Sequence, residues 1–372
     1  TRRRRCCTCQ CLEVHVCAGR RALILHPPPR EIRPCTMNAT LPVLRVTAKD
    51  CGAGFFALLI YAINQLIWAD ENGYQPVVLF GDRCRDGRPN RYFDSAHGSN
   101  VWEYFFWPVS PSAPPASASD HQLTVKQLFG LHHLSLASVQ TYPHGVHRHL
   151  KVPRWHYDEM WHRTMRNRAS HTLHRYVRLR AAPLRAVRTF YRDQVLALGS
   201  ARPVLGLHLR GTDKLRNIGG RIVRPDEYRP LIRHYLHQRP DGILLIATDS
   251  PSFLEEVRRE YGNRVVAYDA LRSERNAFAD RRVGNNYKKG EDALVDALAL
   301  SCANFLVKPA SALSEFSVYW NVELHNHTYE IQYETGLQDP IAALDAHLAS
   351  PRDKLRGFER CAEVMRTDPG SL

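Results

Sequence analysis

The most chemically suggestive residues of this chain stand just past three short apolar runs. Val204–Leu209 leads into Arg210, Gly211, Thr212, Asp213 and Lys214, Ile243–Thr248 into Asp249 and Ser250, and Phe305-Leu306-Val307 into Lys308, Pro309, Ala310 and Ser311. Asp296 interrupts the apolar series Ala293, Leu294, Ala297, Leu298 and Leu300, whereas Asp292 one turn earlier reads as a solvated or helix-start charge. A carboxylate at the position of Asp296 needs a partner if buried, whether a structural cation or a ligand. Arg210 offers a planar fork of donors that can grip a phosphate bidentately, although an ion pair with Asp249 would also satisfy it. These types suit the departure of a diphosphate. As its bond breaks, negative charge grows on the phosphate, and fixed cations and N–H groups can meet that charge without a metal.

The elements needed to place these groups alternate along the chain. Val43–Thr47 reads as a strand, Cys51-Gly52-Ala53-Gly54 as a turn, Phe55–Asn72 as a buried helix stopped by Gly73, and 76–80 as a second strand. Residues 108–119, rich in Pro, Ser and Ala, form a linker, and 155–198 is helical and heavily basic between Arg163 and Arg192. Strands at Val204–Leu209, Ile243–Thr248, 265–268 and 305–307 then alternate with helices at 226–237, Pro251–Tyr261, 290–301 and Ala312–Trp320. Such alternation predicts an α/β fold of parallel sheets covered by helices, here as two facing Rossmann-like domains. The expected division is a disordered or mispredicted leader at 1–38 and an acceptor-side α/β domain at 39–200 carrying the basic segment. A donor-binding Rossmann-like domain follows at 201–335, with a helical extension at 336–372. Ligands in open parallel sheets bind outside the carboxyl ends of the strands, where the polar residues above fall.

The run Gly206-Leu207-His208-Leu209-Arg210-Gly211-Thr212-Asp213-Lys214 resembles the H-x-R-x-x-D motif of the fucosyltransferase superfamily, which takes in the α1,6-fucosyltransferases, the nodulation fucosyltransferases and the protein O-fucosyltransferases. Ala247-Thr248-Asp249-Ser250-Pro251-Ser252 is similar to that family's A-T-D-D-P-S, and Asp296 and Ser311 fall in matching order downstream. The resemblance covers residues 201–320, and the Gly52/Gly54 turn resembles the family's glycine-rich donor loop more loosely. It implies a GT-B arrangement and an inverting, metal-independent transfer of fucose from GDP-fucose to a glycan or protein acceptor, with no cofactor. On that likeness Arg210 contacts the β-phosphate, His208 the diphosphate-ribose region, Asp296 the guanine edge and Ser311 a phosphate oxygen. Asp249 orients the site, and Asp213, Lys214 and Tyr228 lie near the donor. The resemblance also implies a Golgi or secretory-pathway lumen.

Two departures bear on acceptor chemistry. The family's second arginine is Gly211 here, and 215–220 lacks the glutamate proposed as base in the α1,6 subgroup. Asp213, Asp249 or a residue of the first domain can fill that role. A non-catalytic nucleotide- or glycan-binding protein that keeps the fold is the alternative. Among sequence patterns, no acidic pair resembles the D-x-D metal site of other glycosyltransferases.

The composition, 44% hydrophobic and 24% charged, is that of a folded globular chain. Lysine and arginine (51) exceed aspartate and glutamate (37) to give a formal charge of +14, which favours anionic partners. No helix-turn-helix, RNA-recognition motif or aromatic platform accompanies the arginines, which argues against nucleic acid. Six of the ten cysteines precede residue 36 in a spacing unlike that of zinc sites, and Cys51, Cys84, Cys302 and Cys361 are scattered. Sequons stand at Asn38 and Asn326. The chain opens at Thr1 with four arginines rather than Met, as a fragment would, so a membrane anchor is expected only upstream.

Overall fold

Two sets of short apolar strands build two parallel sheets. The computed structural model describes residues 41–48, 51–110, 120–130, 159–199, 202–211, 222–275, 280, 285–309, 311–331 and 339–349. The expected leader, the core of the 108–119 linker, most of the C-terminal extension, Asp213 and Lys214 lie outside them. In the first sheet β1 (Val43–Thr47) pairs in parallel with β2 (Gln75–Leu79) through α1 (Phe55–Asn72). Gly73 ends α1 at φ 71°, the left-handed position that a side chain resists, and its N–H returns to the Ala69 carbonyl. Short helices α2 (Trp102–Phe105) and α3 (Val125–Gly130) follow. The basic segment is two helices, α4 (Glu159–Tyr176) and α5 (Ala181–Phe190), the second running into a π-helical turn at Tyr191–Val195.

The second sheet contains β3 (Val204–Leu209), β4 (Ile243–Thr248), β5 (Val265–Val266), β6 (Phe305–Lys308) and β7 (Thr328–Glu330), in the spatial order β5-β4-β3-β6-β7 and all parallel. Connecting them are α6 (Pro225–Gln238), α7 (Pro251–Tyr261), α8 (Asn286–Leu300), α9 (Ala312–Trp320) and, after β7, α10 (Pro340–Leu348). The order climbs outward from β3 to β5, then returns across the sheet to β6, as in the first five strands of a Rossmann sheet. The switch point lies between β3 and β6.

In the second sheet and its helices two boundaries move by more than one residue from the sequence reading, and one strand is new. α8 begins at Asn286 rather than 290, capped by the Asn285 carboxamide, which accepts from the Lys288 N–H at 2.6 Å. Gly290 reads as a helix start but lies inside the helix, because a Cβ there would meet the Phe105 ring at 2.7 Å. The 265–268 strand shortens to two residues, and β7, only three residues long, was not expected.

Leu205, Leu207 and Leu209 turn to one side of β3, where Tyr228, Leu231, Ile232 and Tyr235 of α6 and Phe253, Leu254 and Val257 of α7 cover them. On the other side α8 and α9 join α1 and the first sheet in one continuous core. The arginines of α4 are spent largely on internal partners. Arg168 pairs with Glu71 and Arg175 with Asp70 at the end of α1, and Arg163 donates to Asn326 at 3.1 Å. Among the described residues, no helix is long and apolar enough to cross a membrane.

A buried ionic chain crosses the junction. The Arg166 guanidinium grips both Glu315 carboxylate oxygens, at 2.8 and 3.0 Å. Lys308 Nζ reaches Glu315 at 2.9 Å and Glu330 at 3.1 Å, with the side chains of Lys308 and Glu315 fully enclosed. Burial alone would raise the Glu315 pKa, but the Arg166 and Lys308 charges outweigh it and hold this carboxyl well below its ordinary range. Because its folded pKa is depressed, the stabilisation is present above the ordinary glutamate range and is lost only as pH falls through the folded value. Glu315→Gln leaves two buried cations without their shared counter-charge. It is expected to cost roughly 3–5 kcal/mol, read as a lowered midpoint in denaturant unfolding. A loss below about 1 kcal/mol would show that the chain adds little to stability.

Candidate functional site

The period of a strand puts His208 and the following Arg210 on one face of β3, at its carboxyl end. β6 ends beside it, and Ser311 follows as the N-cap of α9. Ser311 makes no capping bond to its own helix. Its hydroxyl accepts instead from Arg210 Nη1 at 2.9 Å, closing the switch point between β3 and β6. One turn into α9, the Ser314 hydroxyl meets His208 Nδ1 at 2.9 Å. A guanidinium, a hydroxyl and the positive end of a nine-residue helix thus converge where a parallel sheet admits ligands.

The neighbouring helix N-terminus is already filled. At α7 the Ser250 hydroxyl accepts from the Phe253 N–H, and the Glu274 carboxylate accepts from the Ser252 N–H at 2.7 Å and the Ser250 hydroxyl at 3.1 Å. An intramolecular carboxylate therefore holds the place that an anion would take at the end of β4. Asp249 accepts from the Gly211 N–H at 2.8 Å, and its own carbonyl accepts from Ser273. Asp249 is thereby fixed with one oxygen occupied by backbone.

That contact explains Gly211. A Cβ at this position would lie 2.9 Å from the Ser250 Cβ and 3.0 Å from the Phe253 ring, so the family's second arginine has no room here.

Asp296 is the most distinctive group of the set. It is 8% exposed on α8 and makes no hydrogen bond among the described residues. Burial is the main cause that pushes its pKa up to about 8. Arg272 lowers it, and the Asp292 and Asp249 charges raise it further. Arg272 donates to the carbonyls of Tyr268 and Ala270 and leaves its buried Nε without a hydrogen bond. A carboxylate so placed offers acceptors to a ligand bearing adjacent N–H donors.

The structure corrects other readings. Asp292 is not solvated: it is 3% exposed, paired with Lys288 at 2.6 Å and accepting from the Leu271 N–H at 2.8 Å. Tyr228 is fully buried beneath β3, and its hydroxyl donates to the His208 carbonyl at 2.8 Å, so it positions the strand end rather than facing a ligand. Gly52 and Gly54 sit at the end of β1 in the other sheet, and Gly54 has φ −72°, which any residue can adopt. A disulfide between Cys51 and Cys84, with Cα atoms 5.5 Å apart, ties this turn to the loop after β2. Nothing in the spacing of the scattered cysteines had pointed to that pair. Arg272 and Ser314 were also missed, since neither stands in a motif and only the fold brings them to the site.

No family model and no curated relative matches this chain. Solved structures similar to it include NodZ α-1,6-fucosyltransferase co-crystallised with GDP, at 13% identity and a TM-score of 0.39, covering 74% of this chain and 91% of that one. The same enzyme soaked with GDP-fucose gives 14% and 0.40, over 75% and 92%. An arginine-to-lysine mutant of Arabidopsis thaliana FUT1 in complex with GDP gives 10% and 0.39, over 81% and 72%.

Two outcomes are expected. Gly211→Ala should cost about 1–3 kcal/mol in denaturant unfolding, as overpacking does, while an unchanged midpoint would mean that Ser250 and Phe253 yield freely. Because the folded pKa of Asp296 is raised, the folded state binds a proton more tightly than the unfolded one between about pH 4 and 8. Its contribution to stability is therefore full at low pH and lost as pH rises through that window. Asp296→Asn should gain thermal stability relative to wild type from pH 5 to pH 8, and parallel profiles of Tm against pH would refute the buried-acid reading.

Proposed function

We infer that this protein is a glycosyltransferase using a GDP-sugar donor, GDP-fucose on the motif resemblance. The observation that carries this reading is the Arg210–Ser311 contact across the β3/β6 switch point, at the start of α9 and on the same sheet edge as the hydrogen-bond-free Asp296. The diphosphate would lie against Arg210, the Ser311 hydroxyl and the first N–H groups of α9. Guanine presents adjacent N1–H and N2–H donors, which suit the two oxygens of Asp296 once it gives up to solvent the proton that burial makes it hold up to about pH 8.

In the proposed reaction an acceptor hydroxyl attacks C1 of the sugar from the face opposite the nucleotide. The bond from C1 to the β-phosphate oxygen breaks, C1 inverts, and the electron pair leaves on GDP. Arg210 and the α9 dipole meet that charge as it grows, which is what a metal-free transfer requires. The hydroxyl proton passes to a base on the acceptor side. Asp249 supports that role by position at the sheet edge, with one oxygen held by the Gly211 N–H and so oriented. The acceptor is a glycan or glycoprotein. A secretory-pathway or Golgi lumen is supported by the Cys51–Cys84 disulfide, which persists in oxidising compartments.

The absence of a glutamate in 215–220 favours, as the second reading, a protein that binds the nucleotide without turnover. Titration calorimetry with GDP, UDP and GDP-fucose in EDTA, followed by a donor-turnover assay, separates the two. GDP should bind in preference to UDP, and Arg210→Ala should weaken it roughly 10- to 100-fold, the worth of a charge-assisted hydrogen bond. Binding without turnover selects the second reading, and no nucleotide binding at all overturns both.

A further inference from the structure

The loop after β2 carries Arg83, Arg85, Arg88 and Arg91 within nine residues, against Asp86 in that stretch and Asp82 just before it. It is not a loose loop. Cys84 is disulfide-bonded to Cys51, Arg85 N–H donates to the Ala48 carbonyl at 3.0 Å, and Asn90 bonds to Asp82 and Gly81 across the turn. Arg83 pairs with Pro89 in an antiparallel bridge, and Gly87 takes φ 77° at the tip. Cross-linking of this kind fixes the spacing of charges that would otherwise drift.

The loop also faces the right way. α8 runs back against the sheet with Leu300 packed beside Gly206 in mid-β3, so its first turn projects beyond the carboxyl edge of the second sheet. Asn286 in that turn donates to the Phe93 carbonyl at 3.0 Å, which holds the arginine loop to this edge. Asp296 lies ten residues further along α8, about 15 Å at 1.5 Å per residue. Arg91 and the buried Lys289 of α8 sit within electrostatic reach of each other, with Asp280 as the nearby carboxylate.

Arg83 and Arg88 are exposed and Arg85 is half-buried. Arg83 donates to the Gly87 carbonyl, Arg88 stands beside Asp86 at 3.5 Å, and the Arg85 guanidinium makes no hydrogen bond among the described residues. The aromatic residue of the turn, Tyr92, is buried, so the loop offers no stacking surface of the kind that single-stranded nucleic acid uses. A guanidinium array without such a platform suits charges on sugar substituents.

Resting on the donor-site reading above, we propose that Arg83, Arg85, Arg88 and Arg91 form the acceptor face of the site and select a glycan bearing sulfate or carboxylate groups. Planar guanidinium forks match both groups bidentately, and a rigid turn requires little ordering on binding. The test is calorimetry of the full chain with a heparin-type sulfated oligosaccharide, its desulfated and carboxyl-reduced counterpart and single-stranded RNA. It compares wild type with the triple variant Arg83→Gln/Arg85→Gln/Arg88→Gln, and GDP is titrated into each as a control. The sulfated sugar should bind wild type at least about tenfold more tightly than the other two, with an affinity that falls as salt rises. The variant should lose at least that factor while GDP binding is unchanged. Equal affinity for the desulfated and carboxyl-reduced sugar, tighter binding of RNA, or an unaffected variant overturns the proposal. GDP failing on wild type while arginine-dependent sugar binding persists removes the donor reading and the word acceptor, but leaves the anionic-glycan site.

Discussion

Glu315 is enclosed with two cations, and the position of the candidate site follows from that arrangement. The carboxylate binds Arg166 from α4 on one side and Lys308 from β6 on the other, and Lys308 passes the connection to Glu330 on β7. Ser311 sits between Lys308 and Glu315 in the chain. The segment that brings its hydroxyl to Arg210 is therefore anchored at both ends by the same ionic chain. Charges so enclosed are worth keeping only in one geometry, since any displacement leaves one of them unpaired in a poorly polarisable interior. Rigidity at the start of α9 is the result, and an anion-binding helix terminus needs that rigidity if it is to stabilise charge without reorganising.

A second economy concerns helix N-termini. The helices α7 and α9 begin at the carboxyl edge of the second sheet on either side of β3. Glu274 and Ser250 close the first. The second has a cap residue turned outward to Arg210. The fold thus distinguishes two otherwise similar positive helix ends by filling one with its own carboxylate. Along the same edge Asp249 accepts from the Gly211 N–H while Asp296 makes no hydrogen bond among the described residues, so neighbouring carboxylates differ in their partners.

Much of this was legible in the residues because it depends on local chemistry. Apolar runs of three to six residues ending in charge marked β3, β4 and β6, and Ser250-Pro251 with Gly262 marked both ends of α7. Gly73 stopped α1 as its freedom at positive φ suggested. Misreadings fell where distant packing overrides local preference: Gly290 sits mid-helix because Phe105 presses against it, and Asp292 is buried because Lys288 and the Leu271 N–H satisfy it. The arginines of α4 read only as a heavily basic helical segment, but Asp70, Glu71 and Glu315 pair with three of them.

The sequence by itself determined which residues could meet a phosphate or a donor edge, and that they stand at the ends of parallel strands. Those properties follow from side-chain type and from the two-residue period of a strand. Only the tertiary structure decided the partners: Arg210 with Ser311 across 101 residues, Arg166 with Glu315 across 149, and Cys51 with Cys84. It also decided that Tyr228 holds a strand end from beneath, and that Asp296 lacks a hydrogen bond among the described residues. Pairing and burial are properties of which elements adjoin, and the order β5-β4-β3-β6-β7 arises from packing two sets of helices on opposite faces of one sheet rather than from any local run of residues.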